Sequence, residues 1–172
     1  MPPPRPPEPA DPALLLSRAA HYAGSQERCT SQVRRKLADW GAPASAIAPV
    51  LDRLTTEGLI DDARFARLYA RSKQNTGWGV MKIRAGMRQL ALSDALIERA
   101  LADATDPDVL DAKLTKALGH KAKTLQALPE RDRAARLYRF ALQRGYAPSQ
   151  IQEALGQLSA ALPDEPESPF AH

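Results

Sequence analysis

The chain is nearly devoid of cysteine. Cys29 is the only one among 172 residues, so no internal disulfide can form and no cysteine-based zinc site is available. Cys29 reads as a small, semi-buried residue within a helix. Aromatic residues make up only 5% and glycine numbers nine, so a core must be built mainly from Leu, Ala, Ile and Val, which suits helical interfaces. No window approaches the roughly 18 consecutive apolar residues that a membrane helix requires, and no apolar signal core follows the N-terminus. A cytoplasmic protein without membrane contact is expected. The three histidines, His21, His120 and His172, lie far apart, outside any metal-binding spacing such as HExxH. A Walker lysine loop, GxGxxG and GxSxG are also missing. Without a convergent set of polar groups, no catalytic site, cofactor or metal is expected.

What the chain does have is modest positive charge, unevenly spread. The formal net charge is +4 with a sequence pI near 9.4, which favours an anionic partner. Residues 1–60 carry +1, 61–105 carry +3, 106–162 carry +3, and the last ten carry −3. The acidic end hides a more basic body.

Seven prolines fall in the first twelve residues, a composition that favours extended polyproline II over packed structure. Residues 1–12 are therefore expected to form a tail, and 162–172, with Pro163, Pro166 and Pro169 among acids, a second one. Between them an internal repeat emerges on aligning Gly41, Ala91 and Gly145. Six residues beyond each anchor stand Ile47, Ile97 and Ile151; ten beyond stand Leu51, Leu101 and Leu155; nine beyond stand Val50, Ala100 and Ala154. Eight before stand Val33, Ile83 and Leu137. These offsets describe one apolar helix face after each anchor and another helix before it.

A further helix precedes each pair, over Leu14 to Ala23, Asp62 to Gln74, and about Asp108 to Leu118. The chain thus reads as three tandem three-helix repeats, 13–60, 61–105 and 106–161, all-α, stacked into an elongated, curved array because 50 residues bury little surface alone. Gly41 and Gly145 suit a left-handed helix end, whereas the middle anchor is Ala91, followed by Ser93 as cap. Asp61 or Asp62 is placed to cap the second repeat, and Asp106 the third. Pro49, two residues beyond Ile47, predicts a local irregularity in its helix.

The strongest local anomaly is an acid-free run between Ala63 and Ser93 that holds Arg64, Arg67, Arg71, Lys73, Lys82, Arg84 and Arg88. Arg64, Arg67 and Arg71 share one helical face, and like charges at that spacing repel slightly, which folding alone would not favour. A solvated face is the plain reading; Trp78 beside the run favours contact with phosphates or an acidic protein surface. Gly77-Trp78-Gly79 is too short for a phosphate cradle and reads as a tight turn. Further basic patches comprise Lys113, Lys116, Lys121 and Lys123, and Arg131, Arg133, Arg136, Arg139 and Arg144. Weak, salt-sensitive DNA binding would follow from such charge alone.

Several segments resemble the RecX family. Ser31 to Gly41 (SQVRRKLADWG) is similar to its Ser-x-x-Glu-Leu-x-x-Lys-Leu segment, with a slightly different register at Val33 to Arg35. Glu57 to Ala66 (EGLIDDARFA) matches its Gly-Leu/Tyr-Ile/Leu-Asp-Asp-x-Arg-Phe signature through Gly58, Leu59, Ile60, Asp61, Asp62, Arg64 and Phe65. Asn75 to Met87 resembles its Gly-x-Gly-x-x-x-Ile segment through Gly77, Gly79 and Ile83, and Arg139 to Ile151 its closing Phe-Leu-x-x-Arg-Gly-Phe/Tyr motif. One departure is Ala91, where the family usually has glycine. The resemblance implies a regulator lodged in the groove of the RecA recombinase filament on single-stranded DNA, typically suppressing ATP hydrolysis and strand exchange. Asp61, Asp62, Phe65 and Gly145 read as structural, so partner contact is assigned to Arg64, Arg67, Arg71, Lys73, Trp78, Lys82, Arg84 and Arg88 on a monomeric protein. The alternatives are a helix-turn-helix DNA-binding module and a structural adaptor. The nearly neutral helices after the anchors disfavour the DNA reader.

Overall fold

The computed structural model describes residues 12–160, so the two expected tails lie outside the described residues apart from Pro12. Pro12 is not tail but the first residue of a helix, a position where its missing amide costs nothing. The helices are α1 (Pro12–Gly24), α2 (Thr30–Asp39), α3 (Ala44–Thr56), α4 (Asp62–Asn75), α5 (Val80–Gln89), α6 (Asp94–Ala104), α7 (Pro107–Lys123), α8 (Glu130–Gln143) and α9 (Pro148–Ala160). No strand occurs among the described residues.

The three anchors end α2, α5 and α8 by one hydrogen-bond pattern. Gly41, Ala91 and Gly145 all take positive φ, at 78°, 56° and 83°. Their amides bond Ala38, Arg88 and Leu142 carbonyls at 2.9 Å each, and the next amides reach back to Leu37, Met87 and Ala141 at 3.1, 3.3 and 3.3 Å. This is the left-handed closing turn that satisfies the last carbonyls of a helix. Ala91 therefore adopts glycine's geometry despite its Cβ.

The helix starts are equally local. The Asp61 carboxylate accepts the amides of Ala63 and Arg64, both at 2.9 Å, and so begins α4. Asp62 faces elsewhere: it accepts the Thr30 amide at 2.7 Å, satisfying a free donor in the first turn of α2. Asp106 caps α7 through the amides of Asp108 and Val109 at 3.0 and 3.4 Å, with Pro107 next, and Ser93 accepts the Leu96 amide at 3.4 Å before α6. Two expectations need correction. α3 runs unbroken through Pro49; Ser45, whose carbonyl loses its amide partner, is exposed like Pro49 itself, so water can replace the missing bond. Cys29 lies at the N-cap of α2 rather than within a helix, and it is fully buried, with Sγ 3.3 Å from the Ser31 hydroxyl.

Contacts divide the described chain into two units, 12–70 with 86–104, and 71–85 with 105–160. In the first, Leu15, Ala19 and Ala23 of α1 meet Val33 and Leu37 of α2 and Ile47, Val50, Leu51 and Leu54 of α3. Its α2 start is further tied to the α5–α6 turn, where the Ser31 hydroxyl donates to the Leu90 carbonyl. In the second unit, Leu110, Leu114 and Leu118 of α7 pack with Leu137 and Ala141 of α8 and Tyr146, Ile151 and Ala154 of α9. Here the Gly79 and Met81 amides at the start of α5 donate to the Arg144 and Gly145 carbonyls at 2.7 and 3.1 Å. Gly79 is thus more than a turn residue, since a Cβ there would stand 2.3 Å from the Gly145 oxygen. Gln74, only 4% exposed, donates to the Asp106 carbonyl at 3.0 Å and joins α4 to the start of α7.

Candidate functional site

The seven cations of the run and Trp78 do not share one environment. In the second unit, Gly77 takes φ 81° and turns the chain out of α4, which sets Trp78 between α4 and α5. The Lys73 and Lys82 ammonium groups then lie 4.8 and 4.5 Å from the Trp78 ring centroid, so two cations stand over the indole. Lys82 is also fixed from behind, donating to the Gln143 carbonyl at the end of α8 at 3.2 Å, where a cation complements the helix dipole. Arg71, one turn earlier on α4, is exposed, and Arg84 on α5 is half-buried. Met81 and Leu142, which precede Lys82 and Gln143 in the chain, expose 54% and 41% of their surface.

Two residues join this neighbourhood that the run itself does not contain. The Arg144 guanidinium rests 4.6 Å over the Phe140 ring, and one of its nitrogens is 3.0 Å from the place a Cβ on Gly77 would occupy. Lys113 of α7 donates to the Gln74 carbonyl at 3.1 Å and to Asn75 at 3.0 Å, covering the end of α4. Both were visible as members of other basic patches, but their nearness to Gly77 and Gln74 depends on contacts across 39 or more positions.

In the first unit the run is less unopposed than its sequence suggests. Arg64 donates to Glu27 at 2.8 Å and to the Gly58 carbonyl at 3.2 Å, and Arg88 donates to Asp94 at 2.9 Å. Arg67 is exposed beside Leu68, itself 47% exposed, while Phe65 on the same helix is buried and stacks on Tyr69 with centroids 5.9 Å apart. A second gathering of cations about aromatic rings also lies in this unit, at Tyr22 and Trp40, wholly outside the run. No group of three or more potential metal ligands occurs among the described residues, and no described helix is long and apolar enough to cross a membrane.

Three helix triplets, each with the same kind of turn between its second and third helix, define a helical-repeat protein. The chain belongs to the RecX family. Family models for its first, second and third three-helix domains match residues 16–54, 61–101 and 110–155. The regulatory protein RecX of Halorhodospira halophila is 30% identical over 153 residues, covering 88% of this chain and 91% of that one. The RecX protein of Levilactobacillus brevis is 33% identical over 156 residues, covering 90% of this chain and 58% of the longer relative. A solved structure of regulatory protein RecX superimposes with a TM-score of 0.78 at 27% identity, covering 84% of this chain and 71% of that one. The protein is a RecX-type regulator.

Proposed function

We propose that the protein binds the RecA filament on single-stranded DNA and suppresses its ATP hydrolysis and strand exchange, with 13–60, 61–105 and 106–161 as its three repeats. The observation that carries the contact surface is Trp78 with both the Lys73 and Lys82 ammonium groups over its ring, and with Met81 exposed three residues on in the chain. Aromatic and Met side chains are enriched at the core of protein interfaces, and the lysines beside Trp78 suit its polar rim. Arg64, Arg67, Arg84 and Arg88 then add charge that speeds encounter more than it tightens the complex. Weak DNA binding that fades with salt accompanies this surface, and the protein acts as a monomer in the cytoplasm. The helix after each anchor carries Arg53, Arg99 or no arginine or lysine at all, which counts against a base-reading helix-turn-helix module.

The test is RecA's DNA-dependent ATPase rate as the protein is titrated in. The parent chain should suppress it, and the combined Arg71→Glu, Lys73→Glu and Lys82→Glu variant should need about tenfold more protein or greater for the same effect. Equal suppression by a variant with unchanged helicity and melting would discard this surface. No suppression by the parent chain at any concentration would discard the function.

A further inference from the structure

Around Tyr22 and Trp40, far from the Trp78 surface in sequence, the first unit holds an open recess of about 440 Å³ lined by Ser17, Arg18, His21, Tyr22, Ser25 and Trp40. The two rings meet edge to face with centroids 5.9 Å apart. The Arg18 guanidinium lies 4.4 Å over the Trp40 ring and that of Arg28 lies 3.7 Å over Tyr22. The Lys36 ammonium stands 5.8 and 5.7 Å from the two ring centroids. Arg28 also donates to the Tyr22 carbonyl at 3.0 Å, as does the Ser25 hydroxyl at 3.0 Å, which fixes the backbone under the recess. No acid is among the lining residues.

The repeat register explains why this place is open. Trp40, Leu90 and Arg144 each stand immediately before an anchor. The Leu90 and Arg144 carbonyls are each engaged by the helix start of another triplet, through Ser31 and Gly79. A Cβ on Gly41 would meet nothing within 4 Å, whereas one on Gly145 would stand 2.3 Å from the Lys82 Cβ. Among the described residues the first anchor turn is not spent on packing between triplets, and three cations and two rings gather beside it.

We infer that this recess is a subsite for one nucleotide of single-stranded nucleic acid, bound directly and without the recombinase. A guanidinium 4.4 Å over an indole offers a cationic and aromatic platform that an unstacked base can extend. Lys36 and the hydroxyl of Ser17 supply donors for the adjoining phosphate. An acidic peptide would satisfy the charge and leave the platform unused, which is why a nucleic acid strand is the occupant chosen.

The experiment uses the full chain carrying Trp78→Phe, so that Trp40 alone reports, titrated with an oligothymidylate on the order of ten nucleotides long and no recombinase present. Trp40 emission should be quenched. Arg18→Ala should weaken binding about tenfold and lower the slope of log affinity against log salt by about 0.7. Arg18→Lys should restore the slope and not the full affinity, because charge returns without the planar stack. The inference is overturned if an abasic strand of equal phosphate number, or polyglutamate, binds and quenches as well as the thymidylate, or if Arg18→Ala changes nothing. A protein that ignores the oligonucleotide yet suppresses the RecA ATPase would overturn the recess and leave the filament reading standing.

Discussion

Ala91 holds a left-handed conformation, φ 56°, in a turn whose two counterparts use glycine. An L-residue with a Cβ pays roughly 1–2 kcal/mol there, while glycine's greater freedom in the unfolded chain costs about 0.5–1 kcal/mol. The difference predicts that Ala91→Gly stabilises the protein by about 0.5–1 kcal/mol, or a rise in Tm of about 2–4 °C or less. The reverse change discriminates between strain and packing. At Gly41 a Cβ would meet nothing within 4 Å, so Gly41→Ala should cost only the conformational difference, about 0.5–1 kcal/mol. At Gly145 a Cβ would stand 2.3 Å from the Lys82 Cβ and 2.4 Å from its backbone nitrogen. Neither atom can move without shifting α5, so Gly145→Ala should cost about 3 kcal/mol or more. Urea unfolding of the three variants, followed by circular dichroism with a common slope, measures the series. A destabilising Ala91→Gly, or equal losses at Gly41 and Gly145, would refute the reasoning.

Asp61 offers a pH signature. Its carboxyl is held below the ordinary 3.8 chiefly by the Arg64 amide, with burial working against that and the Ala63 amide adding to it. A depressed folded-state value means the cap's stabilisation is complete above the unfolded carboxyl's range and is lost as pH falls through the folded value, below about 4. Asp61→Ala should cost about 1 kcal/mol at pH 7 and flatten the acid limb of stability against pH. Asp61→Asn should flatten that limb while keeping most of the cap, and urea midpoints at pH 7 and pH 3 report both. Asp62→Ala should cost about 1–3 kcal/mol by stranding the Thr30 amide, and amide hydrogen exchange should show the loss of protection at the start of α2 before any at the start of α4.

The anchor turns were legible because apolar spacing is a local code. Ile, Leu and small residues at fixed offsets placed α3, α6 and α9, and the same register identified Ala91 as a helix end although its residue type argues against one. Asp61, Ser93 and Asp106 were legible as caps for the same reason, whereas Cys29 at the start of α2 and the role of Asp62 were not. Asp61 bonds amides two and three positions on, whereas Asp62 bonds one 32 positions back, and nothing in a window around it distinguishes the two. The cationic run was visible as composition, but its electrostatics were not. Glu27 reaches Arg64 from 37 positions away, and Arg144 reaches Gly77 from farther still. The recess at Trp40 left no trace in the sequence because Arg18 and Tyr22 come from α1 and Lys36 from α2, so their nearness depends on packing between helices.

These placements separate residues whose loss would impair binding through the fold from those that would do so by contact. Asp61, Asp62, Gly79 and Gly145 are committed to backbone groups, so a regulator crippled at any of them has lost geometry, and its melting point must fall with its activity. The cations differ among themselves. Arg64 and Arg88 already hold Glu27 and Asp94, partly exposed pairs worth about 0–1 kcal/mol. To serve an anionic partner they must give up one carboxylate for another, and the net gain is the small difference between two similar interactions. Arg71 is exposed, with no acid on the preceding or following turn of α4, and brings a charge that no ion pair among the described residues engages. Arg71 should therefore contribute a full cation to the salt dependence of binding, and Arg64 a fraction of one, even though both belong to the same helix and the same acid-free stretch of sequence.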